Sequence, residues 1–344
     1  MRETSGTGRL STTVRGALAL AACAALSGRA SAAETWLHPV LPQSVVKAAP
    51  PTRRPGRTAR PAASPRTWPF PTAVSGDTSF VELTAGQAWP EPGGAIPPER
   101  IERAFARLGE GRPMPLTGAK ADGPLTRLEA TWTGQGLATL GLLLAPEPLT
   151  VEAASFEAFL REAGAEEALA TRAKKKETKK PARAVSITTA RAFAGIVAPP
   201  NAARVVDPAA ERDEALGLPL EIVAGVSPLT LRAGTTLTAT VVLDGEPLPG
   251  AVVRAFAAGA GAPVAVAADG RGVVALPLER EGRLLLAAAS VRRTAKSDRA
   301  RGEVWKKADW EVRRTTLELL VLPKAAPAPT PAPKKKRPPA RKPR

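Results

Sequence analysis

The sequence has few of the residues on which most enzymes and metal sites depend. Its 344 residues include one His, one Cys and no Tyr, and aromatic residues make up 4% of the chain. A zinc site needs three or four ligands, mainly His and Cys, and a Ser–His–Asp triad would have to use His38. No phosphate-binding glycine loop, CxxC pair or HExxH motif occurs. We therefore predict a protein that is not an enzyme and has no cofactor.

Carboxylates and tryptophans offer two further kinds of site. The carboxylates that could hold a hard cation are Asp244, Glu246 and Asp269. Aspartates in Asp-Gly turns usually accept hydrogen bonds from the backbone instead. The tryptophans that could line a ligand face are Trp89, Trp305 and Trp310. Because the chain has only 6 Trp and 7 Phe, we expect these rings to anchor the core.

The N-terminus has the pattern of an export signal. A basic start precedes the apolar run GALALAACAAL at residues 16–26, and Ala-Ser-Ala at residues 30–32 fits a cleavage site. The run is shorter than the ~20 residues that cross a bilayer. We predict a signal peptide over residues 1–33 and a periplasmic mature chain. The alternative is a lipoprotein anchored at Cys23, because LAAC also fits a lipobox.

The formal charge of +17 is concentrated in a few segments. Besides the signal, these are residues 47–66, 172–183 and 324–344, which are rich in Lys, Arg, Pro or Ala. Such composition is typical of disordered chain, and it leaves the rest mildly acidic. We expect the basic segments to contact envelope polyanions or anionic lipid. We do not expect nucleic acid as a partner, because aromatic residues are not interleaved with the basic ones.

The stretch from residue 216 to residue 322 predicts an Ig- or transthyretin-like β-sandwich. Leu237, Ala239 and Val241 alternate with threonines, which is the period of a half-buried strand. Asp-Gly-Arg-Gly at residues 269–272 predicts a hairpin-type turn. Short strands with turns between them are typical of a sandwich. The other predicted strands are residues 252–256, 263–267, 273–278, 283–288 and 313–322.

Residues 76–215 predict a β-rich domain with two short helices. Ile101, Phe105 and Leu108 share one face of a helix predicted over residues 98–108. A second helix is predicted over residues 151–163, with Thr150 as its N-cap and Gly164 as its C-cap. Residues 185–197 could be strand or helix. The predicted strands are residues 79–83, 125–132 and 137–144.

The remaining segments complete the predicted domain organisation. Residues 34–75 would be an N-terminal strand followed by a Pro/Arg-rich linker. Residues 172–183 would be a Lys-rich insert in the N-terminal domain. Residues 323–344 would be a disordered, basic, Pro-rich tail.

Several sequence motifs occur along the chain in an order and spacing that is moderately specific. They are ETWLHP at 34–39, LTAGQAWPEP at 83–92, IPPERIERAF at 96–105, SFEAFLREAG at 155–164, the LGLPLEIVAGVSPLTLRAG, DGEPLPGAVV and ADGRGVVALPL segments of the sandwich, and DWE at 309–311. Together they resemble a bacterial periplasmic family of unknown function. Some of its members are nickel- or cobalt-uptake components (NikM-like).

The resemblance implies metal handling by histidines that this chain lacks. The positions where family members commonly carry His hold Glu34 or Thr35, Gln87 and Ser290 here. In the block ahead of residues 193–197, family members usually carry a Tyr, an Arg and a Lys. Only Arg191 matches that pattern here. His38 remains as a weak candidate metal ligand, and one imidazole cannot make a site.

These observations favour an exported, non-enzymatic binding or scaffold protein of the cell envelope. The alternative function is an accessory protein in nickel or cobalt uptake, and the missing histidines weaken it. Only under that alternative would the chain bind Ni or Co.

Overall fold

A computed structural model describes residues 34–40, 72–86, 88–197, 207 and 209–325. The structure is mainly β, as the sequence predicts. The predicted signal peptide with Cys23, the basic segment 47–66, Gln87 and nearly all of the C-terminal tail lie outside the described residues.

Nineteen strands and three α-helices are found in the described ranges. The strands are β1 (Glu34–Val40), β2 (Thr72–Val74), β3 (Thr78–Gly86), β4 (Gly94–Ala95), β5 (Ile101–Leu108), β6 (Met114–Pro115), β7 (Thr117–Asp122), β8 (Leu125–Thr131), β9 (Gly136–Leu144), β10 (Glu147–Val151), β11 (Ala182–Val197), β12 (Leu220–Ala224), β13 (Thr235–Leu243), β14 (Glu246–Pro247), β15 (Val252–Ala257), β16 (Val264–Ala267), β17 (Val273–Leu278), β18 (Gly282–Arg293) and β19 (Trp310–Val321). The helices are α1 (Ala153–Glu162), α2 (Glu166–Lys174) and α3 (Glu303–Lys306).

The strands form three sheets. A five-stranded sheet has the order β1-β3-β8-β7, with β4 on β3. A ten-stranded sheet has the order β16-β15-β18-β19-β11-β9-β5-β6, with β2 and β10 on β11. A four-stranded sheet consists of β12, β13, β14 and β17. Most pairs are antiparallel, but β11 runs parallel to β2 and to β19, with Ala184 opposite Trp310.

The ten-stranded sheet is the middle layer, and apolar side chains cover both of its faces. On one face, Leu140 and Ala192 pack with Leu37 and Val81 of the five-stranded sheet. On the other face, side chains of β15, β18 and β19 pack with β12, β13 and β17. The helices α1 and α2 cover the ends of β11 and β19 through a cluster that contains Trp310. The ten-stranded sheet takes strands from both sides of residue 216, where we predicted a domain boundary.

The alternation predicted for β13 is confirmed. Leu237, Ala239 and Val241 are buried, and the threonines between them are half-buried. The turn at residues 269–272 forms, with Gly272 at φ +74°, but it does not close a hairpin. The strand before it, β16, pairs with β15, and the strand after it, β17, pairs with β13. The turn therefore carries the chain from one sheet to another.

The helix predicted over residues 98–108 is wrong. A single 3-10 turn at Pro98–Arg100 leads into strand β5, which pairs with β9 from Ile101 to Leu108. Phe105 and Leu108 pack into different apolar clusters on opposite faces of the sheet. Pairing with a buried strand overrides the local helical pattern, because strand formation depends on the neighbours that tertiary structure supplies.

The second predicted helix is confirmed as α1. Gly164 has φ +66°, and Ala165 donates its N–H to the carbonyl of Leu160, as in a Schellman C-cap. The N-cap is Glu152 rather than the predicted Thr150, and no side chain caps it.

The prediction that residues 172–183 are a disordered insert is also wrong. The segment comprises the end of α2, an ordered turn and the start of β11. None of the helices in the described ranges has the length and apolar character that a membrane crossing requires.

Candidate functional site

His38 lies on β1, an edge strand of the five-stranded sheet, where β1 crosses β19. Its Nδ1 is 2.8 Å from Oε1 of Glu318. Arg283 donates to the same carboxylate from Nε and Nη2 at 2.8 and 3.1 Å. The Arg283 guanidinium carbon lies 5.4 Å from the ring centroid of Trp89. We call these four residues the His38 cluster.

The His38 cluster orients one imidazole at the surface. The His38 side chain is 35% exposed, whereas Glu318 is 5% exposed. With Nδ1 held by the carboxylate, Nε2 is the nitrogen that could bind a metal ion. Within the described part of the chain, no group of three or more His, Cys, Asp or Glu could hold a metal ion. The His38 cluster therefore supplies a single oriented ligand.

The three turn carboxylates do not come together. Asp244 pairs with Arg313, with 2.6 Å between Oδ1 and Nη1, and Glu246 is exposed on β14. Asp269 accepts two backbone N–H groups of its own turn at 2.8 and 2.9 Å. These bonds lower the pKa of Asp269, because they stabilise its ionised form. Asp269 therefore serves its own turn, and Asp244 links its turn to β19.

Trp305 and Trp310 anchor the core, as we predicted, whereas Trp89 is half-buried and lies outside the core clusters. Trp305 and Trp310 are 3% and 1% exposed. Arg301 lies over the Trp305 ring at 3.7 Å from its centroid, and Arg293 lies over Trp310 at 5.1 Å. Trp89 contacts Arg283 in the His38 cluster. The arginines shield these rings from water and gain cation–π attraction.

A buried ion network centres on Arg191, whose side chain is fully buried. It donates to Oδ1 of Asp213 at 2.6 Å and to the carbonyls of Ile222 and Glu214 at 2.6 and 2.7 Å. Its Nε lies 3.4 Å from Oε2 of Glu221. Burial raises the pKa of Asp213 despite this partner. An Arg within the apolar run of β11 was the sequence signal for this network, and composition gave no indication of its partners.

A second network surrounds Glu311, which is 1% exposed. Arg292, Arg301 and Arg313 all contact its carboxylate. Arg292 also donates to both oxygens of Asp298 at 2.8 and 3.0 Å, which lowers the pKa of Asp298. These contacts tie the segment around α3 to β18 and β19.

A third arrangement, the lysine loop (residues 174–180), follows helix α2. Its five lysines, Lys174, Lys175, Lys176, Lys179 and Lys180, are all exposed. Arg172, just before the loop, is 1% exposed and holds the loop carbonyls of Glu177 and Lys180 at 2.7 and 2.9 Å. It also donates from Nε to Oε1 of Glu157 at 2.5 Å. Sequence composition indicated the charge of this loop but not its order.

Comparison with known families gives one match. A family model described as a domain of unknown function (DUF4198) matches residues 150–292. The match begins in β10, includes α1, α2 and the lysine loop, and ends in β18. It agrees with the resemblance to a family of unknown function. Comparison with curated protein sequences finds no match.

Comparison with solved structures finds distant likenesses. A Salmonella alpha-2-macroglobulin matches 72% of this chain over 14% of its own, at 12% identity and a TM-score of 0.19. A Legionella pneumophila protein of the DUF4785 family matches 62% of this chain over 48% of its own, at 13% identity and a TM-score of 0.17. A Corynebacterium diphtheriae protein described as membrane anchored matches 77% over 54%, at 11% identity and a TM-score of 0.18. Likenesses this distant carry no argument about function.

Proposed function

We propose that this protein is an exported binding or scaffold protein of the bacterial cell envelope, without catalytic activity. The observation that carries the proposal is the separation of charge along the chain. Across the described residues, Lys and Arg equal Asp and Glu in number, so the whole formal charge of +17 belongs to the remaining segments. Charge placed outside a neutral body suits contact with an anionic surface.

The balance of the body corrects one expectation from the sequence. We expected an acidic body because residues 172–183 were counted among the disordered basic segments. Since that segment is folded, its lysines offset the excess acids of the other strands and helices. The folded body therefore carries no net negative charge that would cancel the positive charge of the flanking segments.

The ion networks support a scaffold rather than a catalyst. Glu311, Asp213 and Arg172 each have at least two polar contacts within the body. A catalytic acid or base must reach a substrate, and these groups are enclosed by their partners. We infer that they fix strands and loops in place.

Export is the second part of the proposal. Residues 1–33 would be removed as a signal peptide, which places the mature chain in the periplasm, or Cys23 would be lipidated and hold the chain at a membrane facing it. Either route brings the basic segments to anionic headgroups or lipopolysaccharide phosphates. The expected contact is electrostatic and weakens with salt.

Cell fractionation tests the proposal. In a bacterium that expresses the full chain, we expect the protein in the envelope fraction and its release by high salt. Mass spectrometry should place the N-terminus of the salt-released protein at Ala33 or Glu34, whereas protein that stays in the envelope fraction at high salt should carry a lipidated Cys23. An uncleaved chain in the cytoplasmic fraction would contradict the proposal.

Nickel or cobalt uptake is the second candidate, and the His38–Glu318 contact is the observation in its favour. A metal-bound imidazole often donates a hydrogen bond from its other ring N–H to a carboxylate. However, the described residues supply one imidazole and no cluster of further ligands. We therefore place this function behind the first.

A further inference from the structure

We propose that the lysine loop (residues 174–180) is a docking surface for the phosphate headgroups of an anionic lipid membrane. This inference rests on the proposed envelope function and names a folded part of the body that would carry the contact. It differs from a role for the basic segments outside the described residues, because its charges are held in a fixed arrangement.

The buried side chain of Arg172 holds the backbone of the lysine loop in place. Arg172 donates to Oε1 of Glu157 and to the carbonyls of Glu177 and Lys180, and its guanidinium carbon lies 5.1 Å from the Phe156 ring centroid. The buried guanidinium therefore ties the loop backbone to helix α1. A preformed array loses less conformational entropy on binding than a disordered one.

The lysines of the loop are not held in ion pairs by the other described residues. Glu177, the one acid of the loop, accepts from Nη1 and Nη2 of Arg293 at 2.6 and 3.1 Å. This contact, more than any lysine, lowers the pKa of Glu177. None of the five lysines forms an ion pair with another described residue. Their ammonium groups are therefore available to an outside anion.

Lys176 occupies a backbone position that suits glycine. Its φ is +55°, and it lies where α2 ends: Glu177 donates its N–H to the carbonyl of Arg172, and Lys176 donates to that of Ala173. This is a Schellman C-cap, in which Gly is preferred at the left-handed residue. A side chain there has a conformational cost. The charge of Lys176 is a reason for keeping a residue that the fold itself disfavours.

Helix chemistry explains only part of the lysine pattern. Basic residues in the last turn stabilise the helix dipole, which accounts for Lys174 and Lys175. Lys176, Lys179 and Lys180 lie beyond the end of the helix. These three are the residues whose charge the fold does not require.

The chemistry of the lysine loop favours a lipid surface over other anions. Lysine ammonium groups are point charges without the fork by which Arg grips a single phosphate, so they suit many loosely placed phosphates. The loop has no aromatic residue on which a nucleic acid base could stack. Each basic residue near an anionic membrane strengthens binding about fivefold.

Co-sedimentation of the full chain with phosphatidylglycerol vesicles tests the proposal. The loop variant combines Lys176→Gly, Lys179→Ser and Lys180→Ser. The control variant combines Arg112→Ser, Lys120→Ser and Arg280→Ser, which removes the same charge from three exposed sites that form no ion pair among described residues. Because three such factors multiply, we expect the loop variant to need on the order of a hundredfold more lipid for half-maximal binding, and the control less than about twofold more.

The outcomes separate this inference from the proposed function. Binding of the full chain with equal shifts in both variants would overturn the lysine loop and leave the basic segments as the contact. No binding of the full chain would overturn both proposals. Displacement by inorganic phosphate beyond the effect of chloride at equal ionic strength, or preference for a DNA duplex over the vesicles, would overturn the lipid assignment. Lys176→Gly alone should fold at least as stably as the parent chain, and its weaker binding then supports the proposal.

Discussion

Replacing Arg191 with Leu should destabilise the fold severely. Arg191 is fully buried and is the only guanidinium that contacts Asp213 among the described residues. The Leu side chain fills part of the same space but leaves the Asp213 carboxylate and two carbonyls without their donor. Breaking a buried ion pair on one side costs about 3–5 kcal/mol, a large part of the 5–15 kcal/mol that stabilises a typical domain.

The surroundings of Arg191 limit the loss to this range. Glu221 keeps the N–H groups of Leu216 and Leu218, both at 2.8 Å, so it is not left without donors. Asp213 keeps only the N–H of Ala224 at 2.8 Å. The desolvation penalty of a carboxylate that has lost its charged partner therefore applies mainly to Asp213 and not to Glu221.

Urea denaturation of the parent chain and of Arg191→Leu measures this loss. The matched control is Arg183→Leu, because Arg183 is 63% exposed and pairs with Asp309 at the surface. An exposed pair is worth at most about 1 kcal/mol. A loss below about 1 kcal/mol for Arg191→Leu would refute the reasoning, because the buried pair would then behave like a surface pair.

The same variant should show a characteristic pH dependence. Burial already raises the pKa of Asp213 in the folded state, and loss of Arg191 raises it further. A carboxyl whose folded pKa lies above its unfolded pKa becomes more favourable to folding as the pH falls. The difference in unfolding free energy between parent and variant should therefore narrow from about pH 7 to about pH 5. A constant difference would mean that Asp213 is not the group left unpaired.

Three further predictions concern separate features. Titration calorimetry with Ni and Co should give no heat above dilution for the full chain or for His38→Ala, because the described residues hold no group of three or more possible metal ligands. Micromolar binding that is lost in the variant would restore the uptake function. Contacts from Arg292 lower the folded pKa of Asp298 below its unfolded value near 3.9. The ionised Asp298 therefore stabilises the fold fully above that value, and this contribution is lost as the pH falls below it. The urea midpoint of Asp298→Asn should depend less on acid than that of the parent, and parallel pH profiles would contradict this. Gly164→Ala should lower the free energy of unfolding more than Gly250→Ala, because both glycines have positive φ but only the Cβ at Gly164 would clash with the Val252 side chain. Equal urea midpoints would show that α1 does not pack tightly on β15.

The sequence predicts the elements whose signal is local. The alternation in β13 depends on side chains two residues apart, and Gly164 marks the end of α1 by its own conformational freedom. The weakness of His38 as a metal ligand follows from counting its possible partners. The turn role of Asp269 also needs no long-range information, because its partners lie within the same turn.

The sequence fails where distant partners decide. Ile101, Phe105 and Leu108 have helical spacing, but β9 offers a full row of backbone hydrogen bonds that no local pattern reveals. The lysine loop has a disordered composition, and its order comes from Glu157 and from Arg293, which lies 116 residues beyond Glu177. The parallel pairing of β11 with β19 likewise joins strands far apart in the chain.

The most direct test of the central claim is a salt titration of the full chain on vesicles. We expect the protein to sediment with phosphatidylglycerol vesicles at low ionic strength. It should be released as salt rises, because exposed charges are screened within about 10 Å at 0.1 M salt. It should not bind phosphatidylcholine vesicles at any salt concentration. No sedimentation with phosphatidylglycerol at low salt, or binding that salt does not weaken, would contradict the claim that basic charge outside a neutral scaffold attaches this protein to the envelope.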